Sequence, residues 1–224
     1  MQKFDATATA PVTAVLAVPA GRVQIVATDQ AGITVEVRPA DGGRSRDVKA
    51  AEQTTVAYDN GVLRVEAPTK NQYLGPGGSL DVTIELPAGS RVEARAGAAE
   101  FRTVGRLGDV VFEGAHGATH IEETAALRLT VHAGDVAVGR LAGDSEITVA
   151  AGDIHIAEAV HGTLTLRTES GEITVGAARG TSATLDAGTS YGRIHNALTG
   201  GASAAATLNI HATTTRGDIT ARTL

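Results

Sequence analysis

Between Val131 and Val175 apolar and polar residues alternate in short runs, broken three times by the same punctuation. The breaks are Gly134-Asp135-Val136, Gly152-Asp153-Ile154 and Gly171-Glu172-Ile173. Alternation of period two is the signature of a half-buried strand. Anchored on the glycine, the series extends through Gly97, Gly117, Gly134, Gly152, Gly171, Gly192 and Gly217. Two positions after each glycine stand Ala99, Thr119, Val136, Ile154, Ile173, Ile194 and Ile219. Four positions after stand Phe101, Ile121, Val138, Ile156, Val175, Asn196 and Ala221. These two positions are predicted to face inward. The position between them, which includes His120, His155 and His195, is predicted to face solvent. Upstream of the glycine a second strand recurs as Leu127-Leu129-Val131, Ile147-Val149, Leu164-Leu166 and Leu208-Ile210, each pair or triplet spaced by two.

Each unit is therefore two short strands, and neither can bury its apolar face alone. Stacked units bury a continuous core, so the pattern predicts an all-β parallel β-solenoid, or β-helix, of about seven coils. Residues 1–90 carry further alternating runs at Val12–Val18, Val23–Ala27, Ile33–Val37 and Leu80–Leu86. A hairpin is predicted from Thr54–Tyr58 and Val62–Glu66, turned at Asp59-Asn60-Gly61, because Asn-Gly suits the tight hairpin turn. Pro19-Ala20-Gly21 reads as a turn and is echoed by Pro87-Ala88-Gly89. The expected organisation is one domain over 1–224, with 1–90 as an N-terminal β cap and 91–224 as regular repeats of 17–25 residues. No helix is predicted, since Gly42-Gly43 opens the one helical-looking stretch poorly. Residues 41–53 and 67–79 read as long loops.

Composition fits a narrow interior. Aromatic residues are 3% of the chain, and Trp and Cys are absent. The net charge of −6 argues against nucleic acid as a partner. No apolar run reaches the roughly 18 residues that span a bilayer as a helix. Val12–Val18 is a short run for a signal-peptide core and follows Asp5. A cytoplasmic location is expected, with a secreted or cell-surface location as the alternative.

The Ala/Ser-Gly-Asp/Glu-Ile/Val punctuation, with Val18-Pro19-Ala20-Gly21 and Leu86-Pro87-Ala88-Gly89, resembles the bacterial putative-adhesin family of β-strand-repeat proteins, a domain of unknown function. The resemblance covers nearly the whole chain. It implies a β-helix-like solenoid and brings no catalytic residues with it.

Candidate chemistry is sparse. Gly188-Thr189-Ser190-Tyr191-Gly192 matches G-x-S-x-G in form, but a nucleophile elbow needs a helix after the turn, and here strand patterns flank it. Gly75-Pro76-Gly77-Gly78 lacks the Lys-Ser/Thr of a phosphate loop. His120, His155 and His195 share an outward column on alternate coils, too far apart to bind one metal directly. Asp135, Asp153 and Glu172 stack in consecutive coils ahead of Arg193 and Asp218 and form a weak calcium candidate, because stacked carboxylates need compensation. Arg44, Arg46 and Lys49 in loop 41–53, with Tyr73 in loop 67–79, form a candidate ligand or partner surface. Ile219 and Leu224, at the end of the last coil in sequence, form a candidate interface for a homo-oligomer.

No catalytic residue and no cofactor is expected. The reading is a non-enzymatic scaffold or protein-interaction module with a protein or cell-envelope partner. The alternatives are a ligand-binding module using loops 41–53 and 67–79, and a polysaccharide-active β-helix enzyme. The last is disfavoured because three Tyr and three Phe, unclustered, offer little for sugar stacking.

Overall fold

The computed structural model describes residues 2–68, 78–199 and 207–224. It is an all-β, open-sheet chain that divides into two compact units, 1–117 and 118–224.

The first unit is organised on β2 (Thr13–Thr28). Its alternation buries Ala14, Leu16, Val18, Val23 and Ile25. On one side it runs parallel to β5 (Val62–Glu66) and β6 (Leu80–Pro87). On the other it runs parallel to β7 (Arg91–His116), paired from Arg91 to Val104. β3 (Ile33–Pro39) pairs antiparallel with β6 and with β1 (Gln2–Ala6). β4 (Thr55–Asp59) closes the expected hairpin on β5, turned at Asn60-Gly61, both with positive φ. Phe101 and Phe112 stack with ring centroids 4.4 Å apart inside this unit.

Two expectations change here. Pro19-Ala20-Gly21 is not a turn, because β2 runs through it and stays paired with β7 on both sides of it. A helix also forms, α1 (Ser45–Gln53), within what reads as a loop. The sequence lacks a side-chain N-cap there, and a nine-residue helix is marginal alone. Tertiary packing holds it: Ala50 and Ala51 are buried, and the buried Asp47 carboxylate accepts the Ser79 backbone N–H at 3.0 Å. Gly78 lies so close that an added Cβ would fall 2.3 Å from the Arg46 carbonyl oxygen.

The second unit is built of two parallel ladders. One runs through the later half of β8 (Thr119–Ala133), β10 (Ser145–Ala151) and β12 (Gly162–Ser170). The other runs through the earlier half of β8, β9 (Val136–Leu141), β11 (Ile154–Ala159) and β13 (Ile173–Ala177). Register follows the repeat: Val136, Ile154 and Ile173 are direct partners, as are Leu127, Ser145 and Leu164. The predicted inward residues of these strands are buried and His120 and His155 are exposed. Each buried Leu, Ile or Val contributes about 1.5–3 kcal/mol relative to exposure.

The last two coils do not stack in sequence order. β14 (Ala183–Tyr191) and β15 (Ile194–Ala197) come first in the chain. Yet β16 (Leu208–Arg216) is the strand that pairs with β12, and β14 pairs with β16. Likewise β17 (Ile219–Thr223) pairs with β13, and β15 pairs with β17. The C-terminal coil is thus inserted beneath the coil that precedes it. Composition explains the choice. The inserted coil turns Leu208, Ile210, Ala212, Ile219 and Ala221 inward, all buried. The displaced coil would have brought Asn196 to an inward column, where an unpartnered amide is costly. Placing the more apolar coil between two neighbours and the more polar one at the rim buries more apolar area.

This order is directly testable, since the chain has no cysteine. Thr174 and Thr220 are register partners, and strand spacing of about 4.8 Å suits a disulfide. Thr174→Cys/Thr220→Cys should close on mild oxidation, while Thr174→Cys/His195→Cys, two strands apart, should stay open. The reverse result, read by mass after thiol labelling, would restore sequence order.

Candidate functional site

The acidic column sits just after the glycine column, and its carboxylates hydrogen-bond along it. The Asp135 carboxylate accepts the backbone N–H of Asp153 at 3.0 Å, and the Asp153 carboxylate accepts that of Glu172 at 2.7 Å. The Asp218 carboxylate accepts the N–H of Arg193 at 2.8 Å. Asp144, in another turn, does the same for Thr163 at 2.8 Å. Each of these acids therefore covers a backbone donor exposed at the glycine turn of the adjacent coil. For Asp135, Asp153 and Asp218 that is the compensation a stacked carboxylate requires. Among the described residues no group of three or more His, Asp or Glu could hold a metal ion.

Coil order changes the end of this column. It reads Asp135, Asp153, Glu172, Asp218, Arg193, so Asp218 precedes Arg193 in space. Arg193 Nη2 also lies 2.9 Å from Asp218 Oδ2. The Arg193 N–H, and then its guanidinium, hold the Asp218 carboxyl below the usual carboxylate range. A depressed folded value means the contribution is present at neutral pH and lost as pH falls through it. The histidine column changes too: Thr174 and Thr220 both separate His155 from His195.

A second ladder is internal. Thr168 Oγ1 donates to the Gly152 carbonyl at 3.0 Å, Thr214 to that of Gly171 at 3.1 Å, and Thr189 to that of Gly217 at 3.1 Å. Each threonine stands three residues before its own glycine and bonds the glycine of the adjacent coil. The sequence signal was Thr-x-x-Gly in these coils, against Val131 and Val149 at the same position earlier. The outer face adds polar pairs between coils. Arg140 lies between Glu123 and Glu158, Arg128 faces Glu146 at 3.4 Å, and His211 is within hydrogen-bonding distance of Asp186 at 3.3 Å.

The remaining candidates separate. Arg44 pairs with Asp41 at 3.2 Å, and Arg46 lies 3.9 Å from the buried Asp47. Lys49 is exposed on α1. Tyr73 and most of loop 67–79 lie outside the described residues. Ile219 is not at an end: it is 1% exposed, flanked by Ile173 and Ile194. Leu224 is 41% exposed, and its N–H donates to the Ala177 carbonyl at 3.0 Å, so it continues the inner ladder. The exposed coil is 183–197 instead, carrying Tyr191 and Ile194 at the surface. Within Gly188–Gly192, Ser190 is exposed on β14, and the chain continues into β15 rather than a helix.

A groove of about 700 Å³ opens beside β10, β12 and β16. Arg167, Glu169 and Arg216 stand around it among Thr213, Thr215 and Ser170. The two guanidiniums and the hydroxyls could hold an anionic or hydroxyl-rich ligand.

Residues 94–222 match the Toastrack DUF4097 family. The chain is also similar in structure to a putative adhesin from Bacteroides fragilis. That pair shares 13% identity with a TM-score of 0.61, covering 98% of this chain and 96% of the other. A putative adhesin from Parabacteroides distasonis is similar at 10% identity and a TM-score of 0.52, covering 98% and 97%. At these identities the likeness is one of fold. No curated protein matches the chain.

Proposed function

The chain belongs to the Toastrack DUF4097 family, and from that premise we propose that it is a non-enzymatic, adhesin-like interaction module built as a parallel β-solenoid. The observation that supports this most is the use made of its acids. Asp135, Asp153 and Asp218 hold backbone donors between coils, which is structural work and leaves those carboxylates committed. What varies freely from coil to coil is the outer face, a surface suited to contact with another macromolecule. The solved relatives called putative adhesins agree with that use. A cytoplasmic location is proposed, with a secreted or cell-surface location as the alternative; cell fractionation tests it, and recovery from the medium or cell surface would reverse it.

A second reading, a ligand-binding module, rests on the Arg167–Arg216 groove rather than on loops 41–53 and 67–79. One set of variants separates the readings. Immobilised full-length protein should retain a partner from native lysate, competed by free protein, and Asp153→Asn should retain it equally. Loss of retention in Arg167→Ala/Arg216→Ala would place the contact at the groove. Turnover of a polysaccharide, or a calcium-dependent rise in melting temperature, either one abolished by Asp153→Asn, would overturn the non-enzymatic, metal-free reading.

A further inference from the structure

We infer that the rim coil 183–197 is a self-pairing edge, on which β14 adds antiparallel to β14 of a second copy. The inference rests on the interaction-module reading and names one surface and its occupant. Among the described residues, β14 is paired on one side only, with β16. A nine-residue strand with a free edge presents a row of backbone donors and acceptors. Three large apolar side chains are exposed among the described residues: Tyr191 at 74%, Ile194 at 46% and Leu224. Two of them lie on this coil. Leu185 and Ala187 are only half-buried, although they occupy columns whose residues in the adjoining coil, Ile210 and Ala212, are fully covered.

The strand's own sequence selects a second copy. In an antiparallel pair about a two-fold axis, inner-face residues must meet inner-face residues. Centring the axis on Asp186 sets two carboxylates opposite each other, which is unfavourable. Centring it on Ala187 pairs the whole strand: Ala183 meets Tyr191, Leu185 meets Thr189, and Ala187 meets itself. On the outer face Asp186 then meets Gly188 of the partner, and Thr184 meets Ser190. No like charges oppose, and the half-covered Leu185 and Ala187 gain the missing neighbour. Centring on Gly188 also avoids the clash but leaves Ala183 and Thr184 unpaired. Burial therefore favours Ala187.

Gly188 reports this register. A Cβ added there meets nothing within 4 Å, so side chains fit it in the monomer. Sedimentation velocity on the full chain should show a concentration-dependent dimer at tens of micromolar. Gly188→Asp sets two carboxylates against Asp186 at two symmetric places and should weaken the dimer roughly tenfold. Gly188→Lys sets opposite charges there and should keep or tighten it. Backbone amides of 183–191 should gain exchange protection as concentration rises, in wild type and Gly188→Lys alike. A strictly monomeric wild type, or a dimer indifferent to both substitutions, overturns the pairing. Equal weakening by both moves the axis to Gly188 and overturns the Ala187 register. A monomer that still retains its partner in the binding experiment leaves the interaction-module reading intact.

Discussion

Gly217→Ala should be among the most damaging single-methyl changes available to this chain. Gly217 has φ +143°, a conformation that side chains rarely adopt, and an added Cβ would fall 1.9 Å from the Gly171 carbonyl oxygen. The neighbour is backbone held in a strand ladder, so it cannot swing aside. Strain and overpacking each cost about 1–3 kcal/mol, so a loss of roughly 3 kcal/mol is expected. In a chain of this size that is roughly a 10 °C fall in melting temperature. Gly188→Ala is the matched control, with open space and no left-handed φ, and should stay within about 0.5 kcal/mol. The contrast also probes the stacking itself, because the clash exists only where the glycine turn lies directly against the backbone of an adjacent coil. Equal melting temperatures for the two variants would refute that close stacking at Gly217.

Ile154→Asp should be still more severe. Ile154 is 1% exposed and lies between Val136 and Ile173, with no donor arranged to receive a carboxylate. The change removes a well-packed side chain and buries a charge without a partner, an expected cost of about 4 kcal/mol or more. The neighbouring His155 faces solvent, so His155→Asp should change stability by less than about 0.5 kcal/mol. Urea denaturation of both variants checks this. If the two lost stability equally, the inward and outward faces assigned to the repeat would be reversed.

The acid ladder shows what a column of carboxylates does for the fold. Charge spacing is visible in the sequence, but the donors that Asp135, Asp153 and Asp218 accept are backbone N–H groups, which every residue but proline carries and no pattern reveals. The same holds for Thr168, Thr189 and Thr214. Their spacing from glycine was legible, yet the acceptor of each lies on a different coil. Helix α1 was missed for a related reason: nine residues without a side-chain N-cap are marginal in isolation, and part of what holds them comes from Gly78 and Ser79, about thirty residues away.

By itself the sequence determined the local facts: strand after strand, which face of each turns inward, and where glycine must stand. Period-two alternation sets the first two, because each peptide flips its side chain to the opposite face. Close backbone contact sets the third, since a Cβ would strike the adjacent coil. The order in which equivalent strands stack is a different kind of fact. Every coil carries nearly the same pairing pattern, so hydrogen bonding accepts 171–217–192 as readily as 171–192–217. Only the total burial of the assembled stack distinguishes them. It draws Ile210 and Ile219 inside, leaves Asn196 and Tyr191 at the rim, and so decides which surface the protein shows to a partner.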